Sequence, residues 1–196
     1  ISVKSSQPEP SVRISGDLNA DGQPDLVLQD DDGNLAVWFM HGPSLTSGRF
    51  LNPSQVSDRD YRIVGTGDFN GDSQDDLLFQ HENGNLAVWF MNGVNETGAS
   101  ALNPSHPGDR NWRVIGTADL NRDGNVDLVF QHTDGTMAVW YMKGIHLDSA
   151  ALFSPSGPSD NRWRAAGTGD FNADGKADLL LQHIDGTLAI WYLDGL

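Results

Sequence analysis

Four segments of this sequence carry oxygen-bearing side chains at a spacing that suits a hard cation. The first runs Asp17-Leu18-Asn19-Ala20-Asp21-Gly22-Gln23-Pro24-Asp25, and it recurs from Asp68, Asp119 and Asp170, 51 residues apart each time. Carboxylate or amide oxygens stand at positions 1, 3, 5 and 9 of each nine-residue loop, with Gly at position 6 in three copies. Calcium takes about six to eight oxygens from carboxylates, amide and backbone carbonyls and water. The spacing therefore assigns side-chain ligands Asp17, Asn19, Asp21 and Asp25 in the first loop and Asp68, Asn70, Asp72 and Asp76 in the second. Their equivalents are Asp119, Asn121, Asp123 and Asp127, then Asp170, Asn172, Asp174 and Asp178. Gln23, Gln74, Asn125 and Lys176 at position 7 would add backbone carbonyls, giving an expectation of four Ca2+ ions per chain.

These are not EF-hands, which place a bidentate Glu at position 12 between helices; here that position is Leu28, Phe79, Phe130 or Leu181. Solvated turns rich in Asp, Asn and Gly have a similar composition, but four complete sets in register favour a metal. Ser73 replaces the loop glycine in the second copy. If that position needs a positive φ, a serine there is strained, and the second site is expected to be the weakest.

The formal net charge is −15. Three carboxylates per loop account for 12 of the 27 acidic residues, and four divalent cations would bring the charge to −7. Without ions those carboxylates repel at short range, so metal-dependent folding is expected. Nucleic acid and anionic membrane surfaces, which require clustered Lys and Arg, are excluded as partners. No apolar run approaches the roughly 20 residues of a membrane span, so no membrane insertion is expected. There is no cysteine, hence neither disulfide nor thiolate site. Oxygen cages of this kind suit the high calcium outside cells, which points to a secreted or cell-surface location.

The elements that must position these loops repeat with them. In the second copy Tyr61–Thr66 reads as a strand leading into the loop, and Asp76–Gln80 as a second strand. Asn83-Gly84 reads as a hairpin turn with positive φ at both central residues, Asn85–Met91 as a third strand, and Ala99–Pro104 as a short outer strand. The third strands carry Trp38, Trp89, Trp140 and Trp191 in register and are apolar on both faces, as in sheets covered on both sides. Four antiparallel strands per 51 residues make an all-β chain of propeller blades, a single domain over residues 1–196 with repeats beginning near 11, 61, 112 and 163. Ile1-Ser2-Val3-Lys4, within residues 1–10, is expected to supply the outer strand of the last blade and close the ring.

The segments Gly67-Asp68-Phe69-Asn70-Gly71-Asp72 and Gly169-Asp170-Phe171-Asn172-Ala173-Asp174-Gly175, with the Leu-Ala-Val-Trp-Phe/Tyr-Met strands after them, resemble FG-GAP/VCBS repeats. That resemblance implies a calcium-binding β-propeller like those of integrin α-subunit heads and propeller lectins. Such propellers are mostly seven-bladed and this chain has four repeats, so either a monomeric closed ring or a homodimer forming a larger ring is expected.

With strands running up into the loops and back, the opposite ends of the strands hold a second group of candidates. They are Gln80-His81, Gln131-His132 and Gln182-His183 on the hairpins, and Tyr61-Arg62, Trp112-Arg113 and Trp163-Arg164 before the first strands. Aromatic faces beside amide, imidazole and guanidinium groups can stack and hydrogen-bond a sugar, and the family's lectins hold sugars between blades. The competing reading makes the aromatics packing wedges, the arginines partners of loop carbonyls, and the Gln and His bonds between strands. No asymmetric arrangement of nucleophile, base and stabilising donors is present, so no catalytic residues are assigned. The expected function is a calcium-stabilised binding module with a carbohydrate or glycoprotein partner. Protein adhesion or a purely structural role is the alternative, and a carbohydrate-active enzyme or its non-catalytic domain comes third.

Overall fold

A computed structural model describes residues 12–194, and every element among them is a strand. The first repeat holds β1 (Val12–Gly16), β2 (Asp25–Gln29), β3 (Asn34–His41) and β4 (Ser44–Gln55). The second holds β5 (Tyr61–Gly67), β6 (Asp76–His81), β7 (Leu86–Asn92) and β8 (Asn95–Ala101), and the third β9 (Trp112–Ala118), β10 (Asp127–His132), β11 (Met137–Lys143) and β12 (His146–Leu152). The fourth has β13 (Trp163–Gly169), β14 (Asp178–His183) and β15 (Leu188–Trp191). Within each repeat, successive strands pair antiparallel. β4 also meets β8 through one parallel bridge, Asn52 to Asn95, which merges the first two repeats into one eight-stranded sheet. An isolated bridge from Asn103 to His146 makes the corresponding link between the second and third repeats. The expected closing strand, Ile1-Ser2-Val3-Lys4, lies outside the described residues.

The core lies between sheets. β6 and β10 are apolar and buried on both faces, Leu77 and Phe79 facing the previous sheet and Leu78 the next. Each junction forms its own cluster: Val27, Leu35 and Val37 against Ile63, Leu77 and Phe79; Leu78 and Val88 against Leu128 and Phe130; Val129 and Val139 against Leu179 and Leu181. Of the register tryptophans, Trp140 is buried, and Trp89 and Trp191 pack partly buried against these clusters. Trp38 is 40% exposed, because no described sheet precedes the first.

Two local expectations are corrected. Asn83-Gly84 is not a two-residue turn: the amide of Gly84 donates to His81 O at 2.8 Å and that of His81 to Asn85 O at 2.8 Å, enclosing Glu82, Asn83 and Gly84. Only Gly84 is left-handed, with φ +101°, as in a type I turn followed by a glycine bulge. The extra residue lets the Asn83 side chain accept the Asn85 amide at 2.9 Å, so one position rather than two needs a glycine. The outer strand also begins earlier than expected, at Asn95, directly after the two-residue Gly93-Val94 loop. Gly93 there has φ +59°, which the first position of such a tight loop favours.

Candidate metal loops and the opposite ends of the sheets

Each acidic loop joins the first strand of a sheet to the second, and its side chains fold inward onto its own backbone. In the first, the Asp21 amide donates to Asp17 Oδ1 at 3.1 Å and Asn19 Oδ1 at 2.9 Å. The amides of Gly22 and Gln23 donate to Asp17 Oδ2 and Asp21 Oδ1 at 2.8 and 2.9 Å, and Asn19 Nδ2 donates to Asp21 Oδ2 at 3.0 Å. The same pattern recurs around Asp68, Asn70 and Asp72, around Asp119, Asn121 and Asp123, and around Asp170, Asn172 and Asp174. Positions 1, 3 and 5 are thus gathered on one exposed face.

Position 9 is different. Asp25, Asp76, Asp127 and Asp178 are fully buried, and each carboxylate is held at both oxygens by backbone amides. Asp76 Oδ2 accepts from Phe69 and Oδ1 from Met91, both at 2.9 Å. The other three bind Leu18 and Met40, Leu120 and Met142, and Phe171 and Leu193. This residue clasps the start of the loop to the third strand. Burial pushes the Asp76 carboxyl up to about 6, the Asp72 and Asp68 carboxylates adding to the effect; burial also raises Asp127. A divalent cation would remove that repulsion. The donors are all hard oxygens, with an unused lone pair on each oxygen of the clasp, so the residues fit calcium.

The loops require two left-handed residues, not one. Position 6 holds Gly22, Gly124 and Gly175 at φ +77° to +86°, and Ser73 at +67°. Position 4 is left-handed too: Ala20, Arg122 and Ala173 at +56° to +63°, and Gly71 at +79°. Every loop therefore has one glycine and one strained residue. Ser73 has the positive φ expected of it, but Gly71 relieves the other left-handed position, so a weakest second site no longer follows.

One carboxylate was missed in the sequence. Asp75, at position 8, accepts the Asp17 amide at 2.7 Å through Oδ2 and so ties the second loop to the first; burial raises its pKa. Pro24, Val126 and Ala177 occupy the equivalent positions, so only the departure from the repeat could have flagged it.

At the opposite ends, register brings the predicted aromatics and histidines together. Tyr61 pairs with His81, Trp112 with His132 and Trp163 with His183, their rings 4.9, 5.1 and 5.1 Å apart. Each histidine Nε2 also faces an aspartate: Asp58 at 3.3 Å, Asp109 at 3.7 Å and Asp160 at 3.5 Å. Asp60 stands beside the first of these, and Asp58, Asp60 and His81 have ligand atoms within 4.8 Å of one another. Asn111 and Arg162 replace Asp60 in the next two repeats; Arg162 instead pairs with Asp160, holding that carboxylate below its usual range.

The glutamines are staples between sheets. Gln80 Nε2 donates to Trp112 O at 2.9 Å while its Oε1 accepts the Val114 amide at 3.1 Å. Gln131 does the same with Trp163 O and the Ala165 amide, and Gln29 with Tyr61 O and the Ile63 amide. Gln182 is exposed. The arginines close their loops: Arg62 donates to Arg59 O and Tyr61 O, Arg113 to Arg110 O and Trp112 O, and Arg164 to Asn161 O and Trp163 O. Between the second and third sheets a cavity of about 600 Å³ remains, lined by Asp60, Arg62, Gln80, His81, Arg110 and Arg113 among others.

The FG-GAP-like repeat matches residues 17–79, 68–130 and 119–181, each match running from one acidic loop to the strand after the next. The chain belongs to the FG-GAP-like repeat family. Among solved structures, a chain of the Photorhabdus luminescens Tc holotoxin pore superposes on 91% of this FG-GAP-like chain with TM-score 0.55 and 17% identity. This chain spans 9% of that toxin chain. The computationally designed Ika4 protein matches at TM-score 0.41 and 15% identity, over 98% of this chain and 96% of its own. No curated protein sequence matches. At these identities the likeness extends to fold alone, a β-propeller-like succession of FG-GAP-like repeats suited to a structural or binding role. No helix among the described residues is long and apolar enough to cross a membrane.

Proposed function

We propose that this protein is a calcium-stabilised β-propeller binding module, each repeat forming one blade, with a carbohydrate or glycoprotein ligand held between blades. The observation that carries the ligand reading is the cavity of about 600 Å³ between the second and third sheets. It combines the guanidinium groups of Arg62, Arg110 and Arg113, the His81 imidazole and the Asp60 and Glu82 carboxylates, a mixture that can hydrogen-bond ring hydroxyls, with the Trp112 ring packed at the same junction. Gln80 contributes as a fixed wall, since both ends of its amide are spent on the neighbouring sheet.

Calcium would be held by positions 1, 3 and 5 of each loop, the position 7 carbonyl and the remaining lone pairs of the position 9 clasp. Its contribution would be charge neutralisation and a fixed loop, with no part in recognition. The ion is expected to raise stability by mass action, by about 2.7 kcal/mol per site at a hundredfold excess over Kd. Millimolar calcium outside cells would keep such loops filled, which supports a secreted or cell-surface location.

A glycan array probed in calcium and again in chelator tests both parts. Binding to a defined glycan group in calcium, lost in chelator together with a fall in melting temperature, is the expected result. Absence of glycan binding in calcium would overturn the carbohydrate reading and leave a protein-adhesion role. An unchanged melting temperature would overturn the calcium reading.

A further inference from the structure

Each loop that crosses from one sheet to the next carries an exposed arginine near its tip: Arg59, Arg110 and Arg162. Two of the three are paired. At the first junction Arg59 Nη1 meets Asp32 Oδ1 at 3.0 Å, and at the third Arg162 Nε and Nη2 reach the oxygens of Asp160 at 2.5 to 3.0 Å. The second junction is built differently. Arg110 holds the register of Arg59, 51 residues on, but the register of Asp32 is taken by Asn83, an amide with no charge to offer. Among the described residues neither Arg110 nor its neighbours Arg62 and Arg113 pair with a carboxylate, and all three line the cavity of about 600 Å³. Acidic side chains outnumber Lys and Arg by 27 to 12 in this chain, so the omission is not for want of partners.

The backbone that carries these charges is fixed from two sides. Arg113 Nη1 donates to Arg110 O at 2.5 Å, and the hairpin of the second sheet presses on the same loop: a β-carbon on Gly84 would stand 3.2 Å from Arg110 Cα, and His106 Nε2 lies 2.9 Å from Asn83 O. The Arg110 guanidinium itself has no hydrogen-bond partner among the described residues. Arg62 and Arg113 donate to backbone carbonyls, which satisfy an N–H without cancelling its charge. Against these three guanidiniums the cavity sets two carboxylates, Asp60 and Glu82, and Asp60 stands 3.8 Å from His81 Nε2. A surplus of one positive charge is left facing the cavity.

We infer that this cavity takes an acidic sugar, one whose ring carries a single anionic group, a carboxylate or a sulfate ester, and that Arg110 binds that group. This rests on the carbohydrate reading above and narrows it. A guanidinium with its donors free can grip either group through two parallel, charge-assisted hydrogen bonds. The surplus of one charge suits a monoanion, whereas a densely charged ligand would meet Asp60 and Glu82 at short range. The net charge of −15 opposes any anion from a distance. That repulsion is screened over about 8 Å at physiological ionic strength, while the contact with Arg110 is direct. The first and third junctions do not offer the same grip, because Asp32 and Asp160 already occupy Arg59 and Arg162.

The test is a glycan array on which each saccharide is printed in three forms, neutral, oxidised at C6 to the uronate, and sulfated at C6, probed with the full chain in calcium. Retention of one acidic form about tenfold or more above its neutral parent is expected, the two acidic arms showing which group is used. Arg110→Ala is expected to abolish that preference with the melting temperature unchanged. Asn83→Asp should abolish it too, by supplying the carboxylate that Arg110 lacks. The hairpin accommodates an aspartate there, since Asp134 and Asp185 make the same turn bond to the Thr136 and Thr187 amides at 2.8 and 2.9 Å. Equal retention of neutral and acidic forms would overturn the acidic-sugar assignment and leave the carbohydrate reading standing, whereas retention of no glycan would overturn both. A preference that survived both substitutions would put the anion outside this cavity and overturn the assignment as well.

Discussion

The two ends of the sheets differ in how faithfully they repeat. At the loop end, four copies use the same donors and acceptors, and the position 9 clasp holds the amides of positions 2 and 24 of its own repeat each time. At the opposite end the stacked aromatic, histidine and aspartate recur three times, but their neighbours change: Asp60, Asn111 and Arg162 in one place, Glu82, Thr133 and Ile184 in another. What the fold requires is repeated without variation, and specificity can be encoded only where the repeat is free to vary. The cavity between the second and third sheets lies in the variable part.

The sharpest way to break this comparison is to remove one clasp. Asp76→Ala leaves the Phe69 and Met91 amides buried without acceptors, at a cost of about 3 kcal/mol in calcium, since charged hydrogen bonds contribute roughly 1.5–3 kcal/mol each. In chelator the loss should be smaller, because a carboxyl that burial has raised to about 6 is itself expensive to keep ionised. Urea unfolding with and without calcium checks both; a loss below about 1 kcal/mol in calcium would show that the clasp is not what ties the loop to the third strand.

A staple is worth less than a clasp. Gln80→Ala strands the Val114 amide and the Trp112 carbonyl at a buried junction, with an expected cost of about 2 kcal/mol. The same change at Gln182, which is exposed and has no side-chain partner among the described residues, should leave unfolding unchanged. Equal losses at the two positions would mean that Gln182 is also held as a staple.

How much of this was legible in the sequence follows from the same contrast. The loops and the inner strands announced themselves because a 51-residue period fixes each residue by its equivalents, and Asn-Gly or Asp-Gly punctuation marks where a hairpin lies though not its turn type. The glutamine staples were not legible, since an amide beside a histidine reads equally as a ligand group or a tie to the next sheet, and only inter-sheet geometry tells them apart. The left-handed position 4 was hidden because Ala20, Arg122 and Ala173 occupy it, residues that carry no turn signal. Asp75 escaped because it has no counterpart in the other repeats.

Ligand contact at the variable end can be separated from loop closure by choosing the right arginine. Arg113 holds three backbone carbonyls, so its loss disturbs the loop. Arg110 lines the same cavity with an exposed side chain. Arg110→Ala is expected to weaken binding of an array-identified glycan about tenfold, near 1.4 kcal/mol, with no change in melting temperature. Titration calorimetry giving unchanged affinity would move the ligand out of this cavity.

The smallest effect tests the loop end's uniformity. Each loop sets one glycine against one non-glycine in its two left-handed positions, and the second loop only exchanges their places. A side chain in that conformation costs roughly 1 kcal/mol relative to glycine, so the four sites are expected to start nearly level. Gly71→Ala gives the second loop two strained residues and should make it the weakest, lowering stability by about 1 kcal/mol. Ser73→Gly gives it none and should make it the strongest by a similar margin. Site-resolved calcium titration by NMR of the native chain and both variants would show the second loop moving from last to first. If Gly71→Ala left its rank unchanged, backbone strain would not be what sets affinity, and the carboxylates alone would have to account for it.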